Sequence, residues 1–274
     1  MPHPHPRSAR APALRWITLV VVALAIAYSN LVDVLSPWGH DVGEVSRRYQ
    51  NLFTPAPYAF AIWGLIYGAF LVHCVVALLP SRRSMVIYDR LAWPLMIGNV
   101  VAALWVAVFR HEWMIASVVL IAVALVSAVV MLRRASAAVE AGKARFAITI
   151  PFALFAGWIC VATIADVAAT LVAFGWHGGP LRPAQWTAVM LAAATGIGLA
   201  LGVGFRQFLV PAVVAWAAAA IWVADRDLDR TAMLSAAIAT VVCTLAAIVL
   251  ALRRATSHRP AALGAGVLGT PLPR

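Results

Sequence analysis

Charge is what this 274-residue chain has least of. Charged residues make up 11% of it, with ten acidic side chains against 21 lysines and arginines, where a soluble domain carries roughly a quarter. That shortage excludes an ordinary water-soluble fold. Cysteine is scarce too: Cys74, Cys160 and Cys243 each lie inside an apolar run, with no CxxC spacing and no histidine at ligand distance in the sequence. This excludes a disulfide framework and a cysteine metal site, and the three are read as small core residues. The sequence also lacks GxSxG, HExxH, a P-loop and a complete GxGxxG, so no motif signals a serine hydrolase, a zinc protease or a nucleotide site.

What the chain has is apolar length. It is 64% hydrophobic, and a bilayer-crossing helix needs about 20 mainly apolar residues. Eight segments qualify, near 14–35, 58–79, 91–109, 114–132, 146–174, 186–204, 207–224 and 231–252. The fold class expected is an all-α polytopic membrane bundle. In this layout fifteen of the 21 lysines and arginines fall on one side and six on the other, which predicts both termini in the cytoplasm. The net charge of +11 is then explained by topology and anionic headgroups, with no signal for nucleic acid. The first segment, with Arg7 and Arg10 before an apolar stretch and Ala25-Ile26-Ala27, has the outline of a signal peptide. Its apolar run continues to Leu35, so it is read as a retained span. Residues 1–13 and 253–274 are read as cytoplasmic tails, the latter disordered. The break at Arg206-Gln207 is short enough that 186–224 reads either as two spans or as one re-entrant unit.

The most patterned stretch is Thr54–Tyr67, TPAPYAFAIWGLIY. Pro55 and Pro57 restrain the entrance to a helix, and Trp63, Tyr67, Phe70 and Cys74 follow at spacings of four, three and four, forming one stripe. Such a stripe packs on other helices or lines a pocket. In the fifth span Phe155, Trp158, Ala162 and Asp166 share a face by the same periodicity. Asp166 is a carboxylate at membrane depth, and ionisable groups there are costly and usually face the bundle interior. With these two spans antiparallel, Trp63 and Asp166 fall at matching depth and are expected to share a cavity; the bland alternative is that Asp166 bonds a neighbouring helix. Asn99 is expected to hydrogen-bond between helices. Trp63, Trp105, Trp158 and Trp216 lie deeper than an interfacial belt explains, whereas the other seven tryptophans suit such a belt. His73 falls off the Trp63 face and is not expected to join it.

The connection 36–57 places Trp38, Tyr49 and Phe53 among charged residues, so it is read either as a lid over a cavity or as an interfacial anchor. The turn holding Asp225, Asp227 and Asp229 reads as solvated. Gly196, Gly198, Gly202 and Gly204 in the sixth span imply close helix packing, with a homodimer face as one use of it.

Two of these stretches resemble a known family. Pro55-x-Pro57-Tyr58-x-Phe60-x-x-Trp63-x-x-x-Tyr67 is similar to the second helix of the TspO/MBR family, the translocator or tryptophan-rich sensory proteins. Pro151 followed by Trp158-x-x-x-Ala162-Thr163-x-x-Asp166 resembles that family's fifth helix, with Asp166 where asparagine is usual. Asn99 suits an asparagine of the third helix, but the tryptophan expected three residues later is Ala102, with Trp105 one turn on. The resemblance covers residues 14–174 and implies a five-helix module, with 175–252 as a three-helix extension. It also implies a pocket beneath the first loop for a small hydrophobic ligand, a tetrapyrrole such as porphyrin or haem, or in some members a sterol. Under it Trp63, Tyr67, Trp105, Phe155, Trp158 and Ala162 become pocket wall, and Asn99 and Asp166 polar pocket or inter-helix groups. The expectation is a non-enzymatic receptor or carrier in a bacterial-type plasma membrane, in contact with lipid and requiring no cofactor. A proton-coupled transporter using Asp166 and a porphyrin-degrading enzyme are the alternatives.

Overall fold

The computed structural model describes residues 10–35, 40–176 and 178–257. Among them run nine α-helices and no strand: α1 (Arg10–Leu35), α2 (Val42–Arg48), α3 (Ile62–Leu78), α4 (Ile87–Arg110), α5 (Met114–Glu140), α6 (Ile150–Ala173), α7 (Pro183–Gly204), α8 (Leu209–Asp225) and α9 (Arg230–Ser257). Short 3-10 turns at Pro57–Ala61 and Phe146–Thr149 lead into α3 and α6. Apart from α2 and α8, each helix is long and apolar enough to cross a membrane, giving seven such spans among the described residues.

The apolar helix α8 has 17 residues, or about 25 Å at the helical rise of 1.5 Å per residue. It still reaches from one end of the bundle to the other. Gln207, just before it, accepts from Thr149 at 2.9 Å and donates to Ser136 at 3.2 Å, while near its far end the Ala220 carbonyl accepts from the Ala56 N–H. Residues 186–224 are therefore two helices joined by the turn 205–208, in which Arg206 takes a left-handed φ of 52°, and not a re-entrant unit.

Two helices overrun the limits expected from hydropathy. The helix α5 passes residue 132 and continues to Glu140, because Arg133 and Arg134 end an apolar run without breaking a helix; the stop comes where Gly142 turns at φ +66°. Similarly α9 runs to Ser257, which corrects the disordered assignment for 253–257. Its Arg254 guanidinium stands 3.3 Å from the centroid of the Phe146 ring, a favourable cation–π geometry that holds the last turn.

At the centre is α6, in which every residue from Pro151 to Cys160 is buried, as expected of a helix apolar all round. It contacts α3, α5, α7 and α8. Gly157 is what lets α8 approach: a Cβ there would lie 2.9 Å from the Val210 carbonyl and 2.8 Å from Val213. Gly198 and Gly202 of α7 likewise meet Val214 and Pro211 of α8, so two of the four glycines are used inside the chain. Phe155, Val213 and Ala236 belong to one continuous core, which thus runs through both 14–174 and 175–252.

The end of the bundle that holds both described chain ends is stitched by Arg15. Only 4% exposed, its side chain is bonded to Asp89 at 2.7 and 3.0 Å and donates to the carbonyls of Ala77, Arg82, Arg83 and Met85. One of these, the Ala77 carbonyl, is at the C-terminus of α3, where the helix itself leaves carbonyls open.

Candidate functional site

The opposite end of the bundle holds a cavity of about 630 Å³, bounded by α1, α2, α3, α4 and the start of the α3 entrance. Its roof is α2. Asp41 caps this helix by accepting the Glu44 N–H at 2.7 Å, and its Val45 is fully buried against Phe109 and Met114. Val42, Gly43, Ser46 and Arg47 of α2, with Gln50 after it, face the cavity. The described part of this connection, residues 40–57, therefore covers one side of the cavity, the placement expected of a lid.

A residue of the α4–α5 turn fastens the end of α2. Glu112, in the α4–α5 turn with a left-handed φ of 57°, accepts from Arg48 and from the Tyr49 hydroxyl, the latter at 2.5 Å. A non-glycine residue in that region is uncommon. The bond to Glu112, with burial second, pushes the Tyr49 phenol above its usual pKa. Arg110, buried behind the turn, donates to the carbonyls of His40 and Val32 and so ties the segment before the lid to α4.

The walls are aromatic. Phe60, Trp63 and Tyr67 line the cavity from the α3 side, and Trp105, Ala102 and Val106 from α4. Trp63 and Tyr67 lie 5.1 Å apart, centroid to centroid. Behind them Phe60, Trp63, Ala102 and Trp105 also border a smaller chamber of about 30 Å³ with Trp158 and Ala162 of α6. Trp158 meets Phe60 and Trp63 edge-on at 5.8 and 6.4 Å. It is 3% exposed, and its indole N–H is buried without a hydrogen-bond partner, which is rare for a buried donor.

The polar residues are placed differently from expectation. Asp166 lines neither space and so does not share a cavity with Trp63. It is buried, with the Ser117 hydroxyl of α5 3.1 Å from both its oxygens, and it makes the inter-helix link that was the bland alternative. The Trp105 indole is turned toward Asp166 without completing a hydrogen bond. Asn99 is buried and donates to Leu95 O of its own helix at 2.9 Å, away from the cavity and from the neighbouring helix it was expected to bond. Phe155 stands behind Trp63, fully buried, at 6.2 Å.

Of the lid residues, Tyr49 serves as latch, Phe53 is fully buried in the core, and Trp38 lies outside the described residues. His73 packs against Phe152 and Tyr88, off the cavity. Trp216 donates to the Ala59 carbonyl at 3.2 Å, fixing α8 to the entrance of α3. Asp225 is not solvated as expected but 1% exposed, with one carboxylate oxygen unpartnered.

A family model described as TSPO-like protein matches residues 15–252 of this chain. The chain belongs to the TSPO-like family. Comparison with curated proteins and with solved structures gave no match. The family match runs through α7, α8 and α9, and this TSPO-like chain is an integral membrane protein by family and by its seven apolar spans.

Several cavity residues of the TSPO-like chain escape sequence reasoning. Ser29 and Asn30 of α1 border it, although Asn30 sits at a helix end where headgroup contact is the simpler reading. Arg47 is an exposed lid cation in none of the ion pairs among the described residues. Ala224, the penultimate residue of α8, closes one side. Phe60, with Pro55 and Pro57, carries a usable signal as part of the proline-aromatic motif.

Proposed function

We propose that this chain is a membrane receptor or carrier that binds a flat hydrophobic ligand, a tetrapyrrole of the porphyrin or haem type, under the α2 lid. The observation that carries the reading is the aromatic cavity of about 630 Å³ backed by Trp158 with its unpartnered N–H. The size falls within the range of about 300–1,000 Å³ for small-molecule sites. Trp63, Tyr67 and Trp105 offer ring faces to a macrocycle, and the lid cation Arg47 suits the carboxylates that many porphyrins carry. The lid side is the extracytoplasmic one in this reading, since the opposite end carries most of the basic residues.

Purified protein titrated with protoporphyrin is expected to show saturable quenching of tryptophan fluorescence. Trp63→Ala and Trp105→Ala each weaken binding by about five- to 150-fold, the scale of 1–3 kcal/mol for a lost aromatic stacking contact. Unchanged affinity in both variants overturns the cavity as the site.

A further inference from the structure

The end of the bundle away from the lid carries a second hollow of about 860 Å³ where α4 and α5 meet the loops beside them. Its polar lining is cationic: Arg90 of α4, Arg133 and Arg134 of α5, and Lys143 of the loop after α5. All four are exposed. None is within 4 Å of a carboxylate among the described residues, because Asp89 is held by Arg15 and Glu140 lies outside the lining. Arg134 is oriented by donating to the Arg90 carbonyl at 2.5 Å. Four unneutralised cations around one concavity repel one another unless an anion sits among them.

The apolar surroundings say what kind of anion. Val86, Arg90, Trp93 and Ile97 follow one face of α4 at spacings of four, three and four, and Trp93 and Ile97 are exposed. On α5 the exposed Val126 lies seven residues before Arg133, on the same face. Exposed apolar side chains on the same faces of α4 and α5 therefore lie one to two turns from the cations that line the hollow. A charged head among the arginines with a tail along Trp93, Ile97 and Val126 matches an amphiphile, and basic pockets between spans at the positively charged face are suited to anionic headgroups.

We propose that this hollow is a binding site for an anionic phospholipid, its phosphate held by Arg90, Arg133, Arg134 and Lys143 and its acyl chains lying against α4 and α5. The site is separate from the lid cavity and does not depend on the identity of the ligand there.

The test uses the full chain in mild detergent, with retained lipid read by native mass spectrometry against phosphatidylglycerol and phosphatidylcholine of the same chain length. Wild type is expected to retain phosphatidylglycerol selectively. Arg133→Gln with Lys143→Gln weakens that retention about thirtyfold, the product of roughly fivefold per cation near an anionic surface. The charge-conserving Arg133→Lys with Lys143→Arg restores it, which separates a lost site from a misfolded protein. Arg226→Gln with Arg230→Gln, the same charge removed at the opposite end, leaves retention unchanged.

Three results overturn the proposal. One is equal phosphatidylglycerol retention in wild type and Arg133→Gln with Lys143→Gln. Another is an equal loss in the Arg226 and Arg230 pair. The third is inorganic phosphate binding to lipid-free protein and displacing phosphatidylglycerol, which makes the site one for a soluble phosphate instead.

Discussion

The two ends of the bundle are built on opposite plans. At the lid end the polar contacts fasten α2 beside an open volume: Glu112 holds Arg48 and Tyr49, with the Arg48 and Glu112 side chains 42% and 24% exposed. At the other end the polar contacts replace volume. Arg15 fills the space between α1, α3 and α4, and Gln207 joins Ser136 and Thr149 inside the protein. A buried network is costly to break because each group left behind is uncompensated, whereas an exposed pair is worth little. One end thus holds the helices in register, and the other covers its cavity with weaker, exposed contacts.

The largest expected effect lies at the stitched end. Arg15→Ala leaves Asp89 without its cation and four carbonyls without their donor, and with Asp89 23% exposed the loss falls at the lower end of the range of about 3–5 kcal/mol for breaking a buried pair. Unfolding of the purified protein, followed by circular dichroism in detergent, is expected to shift by that much, with porphyrin affinity in the folded fraction retained. A loss below about 1 kcal/mol, as for an exposed pair, would erase the contrast between the two ends.

Arg15 also marks the limit of what the sequence discloses. Hydropathy locates the spans because each must present apolar surface to lipid, and the Trp63 motif locates one wall of the cavity, with the Trp158 motif bordering the small chamber behind it, because helical spacing fixes which residues share a face. Arg15 reads there as one more topological charge, since nothing local says that its guanidinium reaches carbonyls some 62 to 70 residues away. The same holds for Glu112, whose role depends on a turn geometry and a partner 63 residues distant. Asp166 shows the converse. Periodicity puts it on the face of Trp158 and Ala162, but cannot say that Ser117 of α5, and not an open cavity, lies opposite.

A smaller effect is expected at the lid. Glu112→Gln keeps the shape of the latch and removes its charge, changing global stability by about 0–1 kcal/mol because the pair is exposed. The readout is kinetic: porphyrin dissociation, followed by stopped-flow fluorescence, becomes several-fold faster while unfolding barely moves. The same latch has a pH signature. Since the folded Tyr49 pKa is raised above the ordinary phenol value of about 10 by its bond to Glu112, the contribution is complete below about pH 10 and is lost as pH rises through the folded value, when a phenolate faces a carboxylate. Dissociation is expected to accelerate above pH 10 in wild type and to lose that dependence in Tyr49→Phe.

The smallest effect is expected at Asp166, and it decides between the two readings of a carboxylate at membrane depth. Asparagine has the same shape, still accepts from the Ser117 hydroxyl, and stands outside both cavities. Asp166→Asn is therefore expected to leave porphyrin affinity unchanged within about threefold, well under the tenfold that 1.4 kcal/mol represents. If instead the carboxylate couples proton movement to transport, pH-driven uptake into proteoliposomes disappears in this variant while binding survives. Such a result would make the Asp166–Ser117 contact between α5 and α6 a working part of the cycle. Uptake that persists at the wild-type rate assigns Asp166 to holding those two helices together beside Trp105.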